Sequence, residues 1–233
     1  MFVTLLTGGA GQLTPDIASA IDKRPVSAAL FCSRTGLKGD EQVSTRFHGG
    51  PERALHYYPA EHYPVWRQWF EGMGLTDSRE RLVPGAFGEN LSGTGLTEDN
   101  ACIGDVFRLG DALVQISQPR SPCYKLNARF GHDFFSVLVQ ANGRTGWLLR
   151  VLEEGMVPPA ANVELVERPC PGMPVRRAGD IVFNRGFDAD GLRELAGLEH
   201  LSPNWRKKAA DYLAAGRVDD WTLRLLGPKA TQS

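Results

Sequence analysis

The 233-residue chain has only four cysteines, Cys32, Cys102, Cys123 and Cys170, scattered with no C-x-x-C pair and no histidine at zinc-ligand spacing. That excludes a compact zinc module and argues against a disulfide framework, so each thiol is either buried filler or a chemically used thiolate. A dominant sign of charge is also missing: 26 basic and 27 acidic side chains leave a formal charge of −1. Such a balance carries no global footprint for nucleic acid or an anionic membrane, and any bound anion must be met by a local cluster. No run approaches the ~20 apolar residues of a membrane span. The start MFVTLLTGGAGQLTP lacks a basic region and a long enough apolar stretch for a secretion signal. The expectation is a cytoplasmic protein with no nucleic-acid and no membrane partner.

What is present is a hydrophobic content of 42%, with 26 glycines and 15 prolines, enough for one substantial core and a small appendage. Up to about residue 168, short apolar runs are bounded by Gly, Pro, Asn and Asp, which favours strands and turns. Asp105 to Leu109, Gly110-Asp111 and Ala112 to Gln118 read as a hairpin with a two-residue turn. A second hairpin is expected between Gly146–Leu152 and Asn162–Glu167, joined through EEGMVPPAA. Strands returning at this spacing imply a closed or nearly closed β-barrel rather than a layered α/β sheet. In PAEHYPVWRQWF, residues 59 to 70, the aromatic spacing is helical, and Pro64 either kinks that helix or marks its first turn. Tyr57, Tyr58, Tyr63, Trp66 and Trp69 are read as packing. Past Pro169-Cys170-Pro171-Gly172 the period turns helical over 174–184, 188–199 and 203–215, with Asp188 and Ser202 as N-caps. The fold class is therefore mainly β with α: a β-barrel over residues 1–168, then a separate small helical bundle over 172–227.

Three stretches could carry chemistry. QPRSPCYKLN, residues 118 to 127, places Cys123 in a proline-stiffened loop between Arg120 and Lys125. Both cations favour a thiolate, which is what a nucleophile or a soft-metal ligand requires, whereas Cys32 and Cys102 suit burial better. TGLKGDEQ (35–42) and RFHGGPERAL (46–55) combine turn-forming glycines with Arg46, His48 and Arg53, a combination suited to a phosphate or other anion. Neither nucleotide-binding glycine spacing is present, and charged turns alone would explain the stretch equally well. In GAFGENLSGTGL (85–96), Asn90 and Ser92 could hydrogen-bond a heterocycle, although turn formation would also account for them.

GLKGDEQ, HGGPERALHYYPAEHY, FGENLS, GLTEDNACIGDVFRLG and QPRSPCYKLN, in this order, resemble the MOSC family, the domain found at the C-terminus of molybdenum cofactor sulfurases. Within it the chain resembles the YiiM-like branch, whose barrel is followed by a small three-helix domain. The resemblance implies a β-barrel that binds the molybdenum cofactor (molybdopterin), with Cys123 as the protein ligand to the metal. Gly39, Asp40, His48, Gly49, Gly50, Arg53, Asn90 and Arg120 fall on the family's motif, and Lys38 does not. The glycines, Arg53, Asn90 and Arg120 are thereby expected to bind the cofactor. The implied activity is reduction of N-hydroxylated compounds, such as N-hydroxylated nucleobases, as a detoxification. Asp40 and His48 are unranked candidates for the proton that the departing oxygen needs. With no iron–sulfur or haem motif in the sequence, a separate electron-donor reductase, a flavoprotein by class, is the expected partner. A homodimer is compatible with all of this. The competing reading is a non-catalytic carrier of the cofactor or of sulfur.

Overall fold

The computed structural model describes residues 1–43 and 49–228. Among them β1 (Phe2–Thr7) is followed by a small hairpin, β2 (Gly11–Thr14) with β3 (Ile17–Ser19). Next come β4 (Arg24–Pro25), β5 (Leu30–Ser33), β6 (Gly36–Leu37) and β7 (Leu55–Pro59), then helices α1 (His62–Gly72) and α2 (Thr76–Glu80). β8 (Leu91–Gly93), β9 (Val106–Leu109) and β10 (Ala112–Pro119) lead to two short helices, α3 (Lys125–Phe130) and α4 (Phe135–Ala141). After β11 (Trp147–Glu153), β12 (Gly155–Val157) and β13 (Ala160–Glu167) the chain is helical: α5 (Val175–Phe183), α6 (Ala189–Gly197), α7 (Pro203–Ala215) and α8 (Thr222–Leu226).

Seven strands run β13-β9-β10-β11-β7-β8-β1, and β1 pairs back onto β13, so the barrel is closed. Closure removes the unpaired edge that an open sheet would expose. Every pair in the ring is antiparallel except β7 with β8. The expected β9–β10 hairpin forms, with Leu109 opposite Ala112 across Gly110-Asp111. The second expected hairpin does not. β11 lies between β10 and β7, while β13 lies between β9 and β1. The cause is in EEGMVPPAA, which is not a plain loop: Gly155–Val157 pairs with β5, carrying the chain into a separate three-stranded sheet before β13 re-enters the ring elsewhere.

Helix α1 begins at His62, so Pro64 falls in its first turn, where a missing amide proton costs nothing, and does not kink it. The aromatic residues behave as packing: Tyr58, Tyr63, Trp66, Phe70, Phe87, Phe130 and Phe135 form one buried cluster under α1, α3 and α4. Trp66 Nε1 satisfies itself on Tyr58 Oη at 2.8 Å. Helices α5 to α7 match the expected segments. Asp188 caps α6 by accepting from Gly191 N at 2.9 Å. Ser202 precedes α7 but makes no capping bond, because its hydroxyl donates to buried Gln118 Oε1 at 2.7 Å. Val175, Ala178, Ile181, Leu195 and Trp205 share one apolar cluster with the barrel side chains.

One turn carries the site region. Gly85 has φ 98° and its carbonyl accepts from Lys23 N at 3.1 Å, so close that a Cβ would collide with the Lys23 carbonyl. Gly39 also has positive φ, 85°, but a Cβ there would enter open space. Gly39→Ala should therefore cost only the left-handed strain, about 1–2 kcal/mol. Gly85→Ala adds a backbone collision and should cost about 3 kcal/mol or more. Thermal denaturation of the two variants checks this; equal losses would show that Lys23 and the 85 turn can move apart freely.

Candidate functional site

Cys123 lies on the loop between β10 and α3 and is half-buried. Its loop is held by backbone bonds at both ends: Arg120 N to Gly146 O at 3.1 Å and Tyr124 N to Arg224 O at 2.8 Å. Gly146 is itself fixed, since its amide donates to the fully buried Glu98 at 2.6 Å, and Glu98 pairs with His62 Nε2 at 2.8 Å. Arg120 Nη2 donates to the Phe87 carbonyl at 3.3 Å, while Nη1 is sealed from solvent with no partner among the described residues. Burial pushes this guanidinium below its usual pKa, and nearby Cys123, Tyr58 and Glu89 pull it back up. Glu89 is completely buried and accepts from Gly85 N at 2.7 Å, Phe87 N at 3.1 Å and Tyr63 Oη. Desolvation raises its pKa against those donors.

Lys125 does not serve the thiol as the sequence suggests; its ammonium donates to the Ala18 carbonyl at 3.0 Å. The second guanidinium at the loop is Arg224 of α8, which donates to the Pro122 carbonyl. The other thiols are set apart by their surroundings. Burial pushes the Cys32 thiol up to about 12, and it also raises Cys102 and Cys170. A thiol held that high is inert at neutral pH.

A second cluster adjoins the first. Asp40 Oδ2 sits 2.5 Å from Lys23 Nζ and accepts from Asn90 Nδ2 at 2.9 Å, while Oδ1 accepts from Gly8 N at 3.0 Å. Both partners of the ion pair are buried, and desolvation lowers the Lys23 pKa against the pull of Asp40. Asn90 spends both amide protons inside the protein, on Asp40 and on the Leu6 carbonyl at 3.3 Å, and its oxygen accepts from His56 N at 3.1 Å. No donor remains for a heterocycle, contrary to the reading of Asn90 as a ligand contact. His56 joins the two clusters. Its ring is held well below the usual histidine range by burial first, then by the charges of Arg120 and Lys23.

Gly39 lies exposed in the turn leading to Asp40. Gly49 and Gly50 lead into a 3-10 turn, Pro51–Arg53, that is fastened to the barrel through Ser117 Oγ on the Glu52 carbonyl at 2.6 Å and Arg150 on Glu52 at 2.7 Å. Arg53 ends this turn half-buried, with its pKa lowered by burial. His48 lies outside the described residues. A cavity of about 340 Å³ beside α7 has no residue of these clusters. One of about 460 Å³ reaches Arg129, a turn and a half past Cys123, together with Arg24 and Arg81. Sequence alone singles out none of Lys23, Glu89 and Arg224. Glu89 stands inside FGENLS and could have been weighed there, whereas Lys23 and Arg224 belong to no motif and reach the site only through the fold.

The chain as a whole has known relatives. The MOSC domain profile matches residues 44–164, and that of the YiiM-like 3-alpha helix domain matches 173–216. Protein YiiM of Escherichia coli is 43% identical over 209 residues, covering 90% of this chain and 91% of its own. Its crystal structure superposes with a TM-score of 0.80 at 37% identity over 97% of this chain and 98% of that one. A Gibberella moniliformis protein named Reductase is 40% identical over 185 residues, 79% of this chain but 32% of the longer fungal protein. The chain belongs to the MOSC family, a domain family associated with the molybdenum cofactor, and it has the YiiM-like pairing of that domain with a 3-alpha helix domain.

Proposed function

We propose that the chain is a molybdenum-cofactor-dependent reductase of N-hydroxylated compounds, N-hydroxylated nucleobases among them, in which Cys123 is the protein ligand to the metal. The observation that carries the reading is the pairing of a half-buried loop thiol with a guanidinium whose Nη1 is shut from water and unpartnered. An unpaired buried donor of this kind costs about 1–3 kcal/mol. A cofactor bearing a phosphate and anionic sulfurs fits it, since it would supply the missing acceptor. The fungal relative named Reductase supports reductive chemistry.

When bound, the cofactor supplies two-electron redox chemistry at molybdenum. Cys123 holds the metal as a soft ligand, and Arg120 and Arg53 offset the cofactor's negative charge. Gly49 and Gly50 keep the backbone low enough for a close approach. Asp40, with donors on both oxygens, is best suited as a carboxylate anchor for Lys23 and Asn90, which leaves the proton for the departing oxygen to His48. Electrons come from a separate flavoprotein reductase.

Protein prepared in a cofactor-producing host, reduced chemically and given an N-hydroxylated purine, should turn it over. Retained cofactor without turnover would mean a carrier instead. Cys123→Ser should fold with nearly unchanged thermal stability, because a half-exposed loop thiol adds little to the core, yet lose activity by about a hundredfold or more. Cys32→Ser should do the reverse, losing about 1–3 kcal/mol by burying a hydroxyl at a fully buried position while activity per folded molecule persists. Full activity in Cys123→Ser would end the ligand assignment.

Arg120→Met gives an independent check. Arg120→Met removes a buried donor that has no partner among the described residues, a relief of about 1–3 kcal/mol, against the loss of one hydrogen bond to the Phe87 carbonyl, about 0.5–1.5 kcal/mol. The variant should melt at or above the wild-type temperature and retain much less molybdenum per chain. A large drop in melting temperature would make Arg120 a structural cation and remove it from the cofactor site.

A further inference from the structure

The segment after α7 returns to the barrel and fastens itself to the Cys123 loop. Arg224 is engaged at three points: its carbonyl accepts from Tyr124 N at 2.8 Å, its Nη1 donates to the Pro122 carbonyl, and its Nη2 donates to Gln140 of α4. Its guanidinium lies over the rings of Phe183, 5.0 Å away on α5, and Trp221, 4.7 Å away. Leu225 adds its carbonyl, which accepts from Asn127 Nδ2 at 2.8 Å and Ser136 Oγ at 2.6 Å. The two residues flanking Cys123 in the chain are thus tied to one arginine, one through its backbone and one through its side chain. Burial lowers the Arg224 pKa to about 10, and the Cys123 thiol is the largest influence opposing that shift. Residues 217–228 lie outside both matched domain regions, which end at 164 and 216.

We propose that Arg224 is the positioning residue of the Cys123 loop, so that the segment beyond the helical bundle is a working part of the cofactor site rather than a tail. The inference rests on Cys123 as metal ligand for its consequence, but not for the clamp itself. Arginine suits the role because its planar fork can serve two acceptors while stacking on aromatic rings; lysine can keep the charge but not the fork. The clamp also binds α5 and α4 to the loop, so the helices after the barrel bear directly on where the thiol stands.

The test uses the full chain as wild type, Arg224→Lys, Arg224→Met and Cys123→Ser, with hydrogen exchange on cofactor-free protein and molybdenum per chain on protein from a cofactor-producing host. Arg224→Met should raise amide exchange across 122–127 by about tenfold or more, leaving β10 and α5 to α7 unchanged, since opening would be local. It should also lower retained molybdenum several-fold, with Arg224→Lys in between on both measures. Exchange at 122–127 within about twofold of wild type in Arg224→Met overturns the clamp. So does exchange that rises equally in every strand, which would mark Arg224 as a general stabiliser. Should Arg224→Met fail to fold, Arg224→Lys decides by the same criterion. If Cys123→Ser retains molybdenum as wild type does, the ligand assignment fails by itself, and the exchange result still judges the clamp.

Discussion

Arg120 is a guanidinium with one nitrogen shut away from water and nothing in the described protein to receive its proton, and much of the surrounding structure serves to keep it there. Taking such a charge out of water costs several kcal/mol unless other groups compensate. Glu89, fully buried and accepting from two backbone amides and a phenol, compensates in part. The position of Arg120 is fixed from the other direction by the chain Glu98, Gly146, Arg120, in which a buried carboxylate paired with His62 holds the strand end that receives the arginine amide. A closed barrel makes this arrangement rigid, because β10 and β11 cannot slide without breaking the whole ring.

What the sequence disclosed was local. The β9–β10 hairpin was readable because two turn residues separate two alternating runs, and α5 to α7 because their period and the Asp188 cap are contained within a few residues. Cys123 stood out for the same reason: two prolines before it and a cation on each side lie within five positions of it. The pairing partners of β11 and β13 were not readable. Strand register between segments far apart in the chain depends on which side of the ring each segment enters, and here a three-residue strand, Gly155–Val157, diverts the chain to β5. Ser202 shows the limit of cap signals, since its hydroxyl found a buried glutamine more rewarding than the helix amides.

Within the motifs, residue type told less than what each polar atom is already committed to. Asp40 and Asn90 both fall on the family pattern, yet every donor of Asn90 and both oxygens of Asp40 are used inside the protein. They behave as fasteners, joining the turn after β6 to the β1 and β7 backbones through Gly8, Leu6 and His56. Arg120 falls on the same pattern and keeps a donor in reserve. That difference cannot be seen in a motif, because it depends on Lys23, which lies outside every recognised stretch and comes to Asp40 only when the turn at Gly85 is made.

The same criterion bears on how the thiol is chosen among four. Cys32 is buried between paired strands, and its raised pKa follows from desolvation first and from the Glu154 charge second. Cys102 and Cys170 lie where the barrel meets the first helix after it, near Asp105, whose charge raises both further. Cys123 is half-buried where Cys32 and Cys102 are buried, and its loop is held at one end by the Arg120 amide and at the other by Arg224. The thiolate is the form that binds a soft metal, and two guanidiniums at this loop are placed to offset negative charge there. One of those guanidiniums comes from the strand end and the other from the last helix, so the electrostatic setting of Cys123 exists only when barrel and C-terminal helices are assembled together.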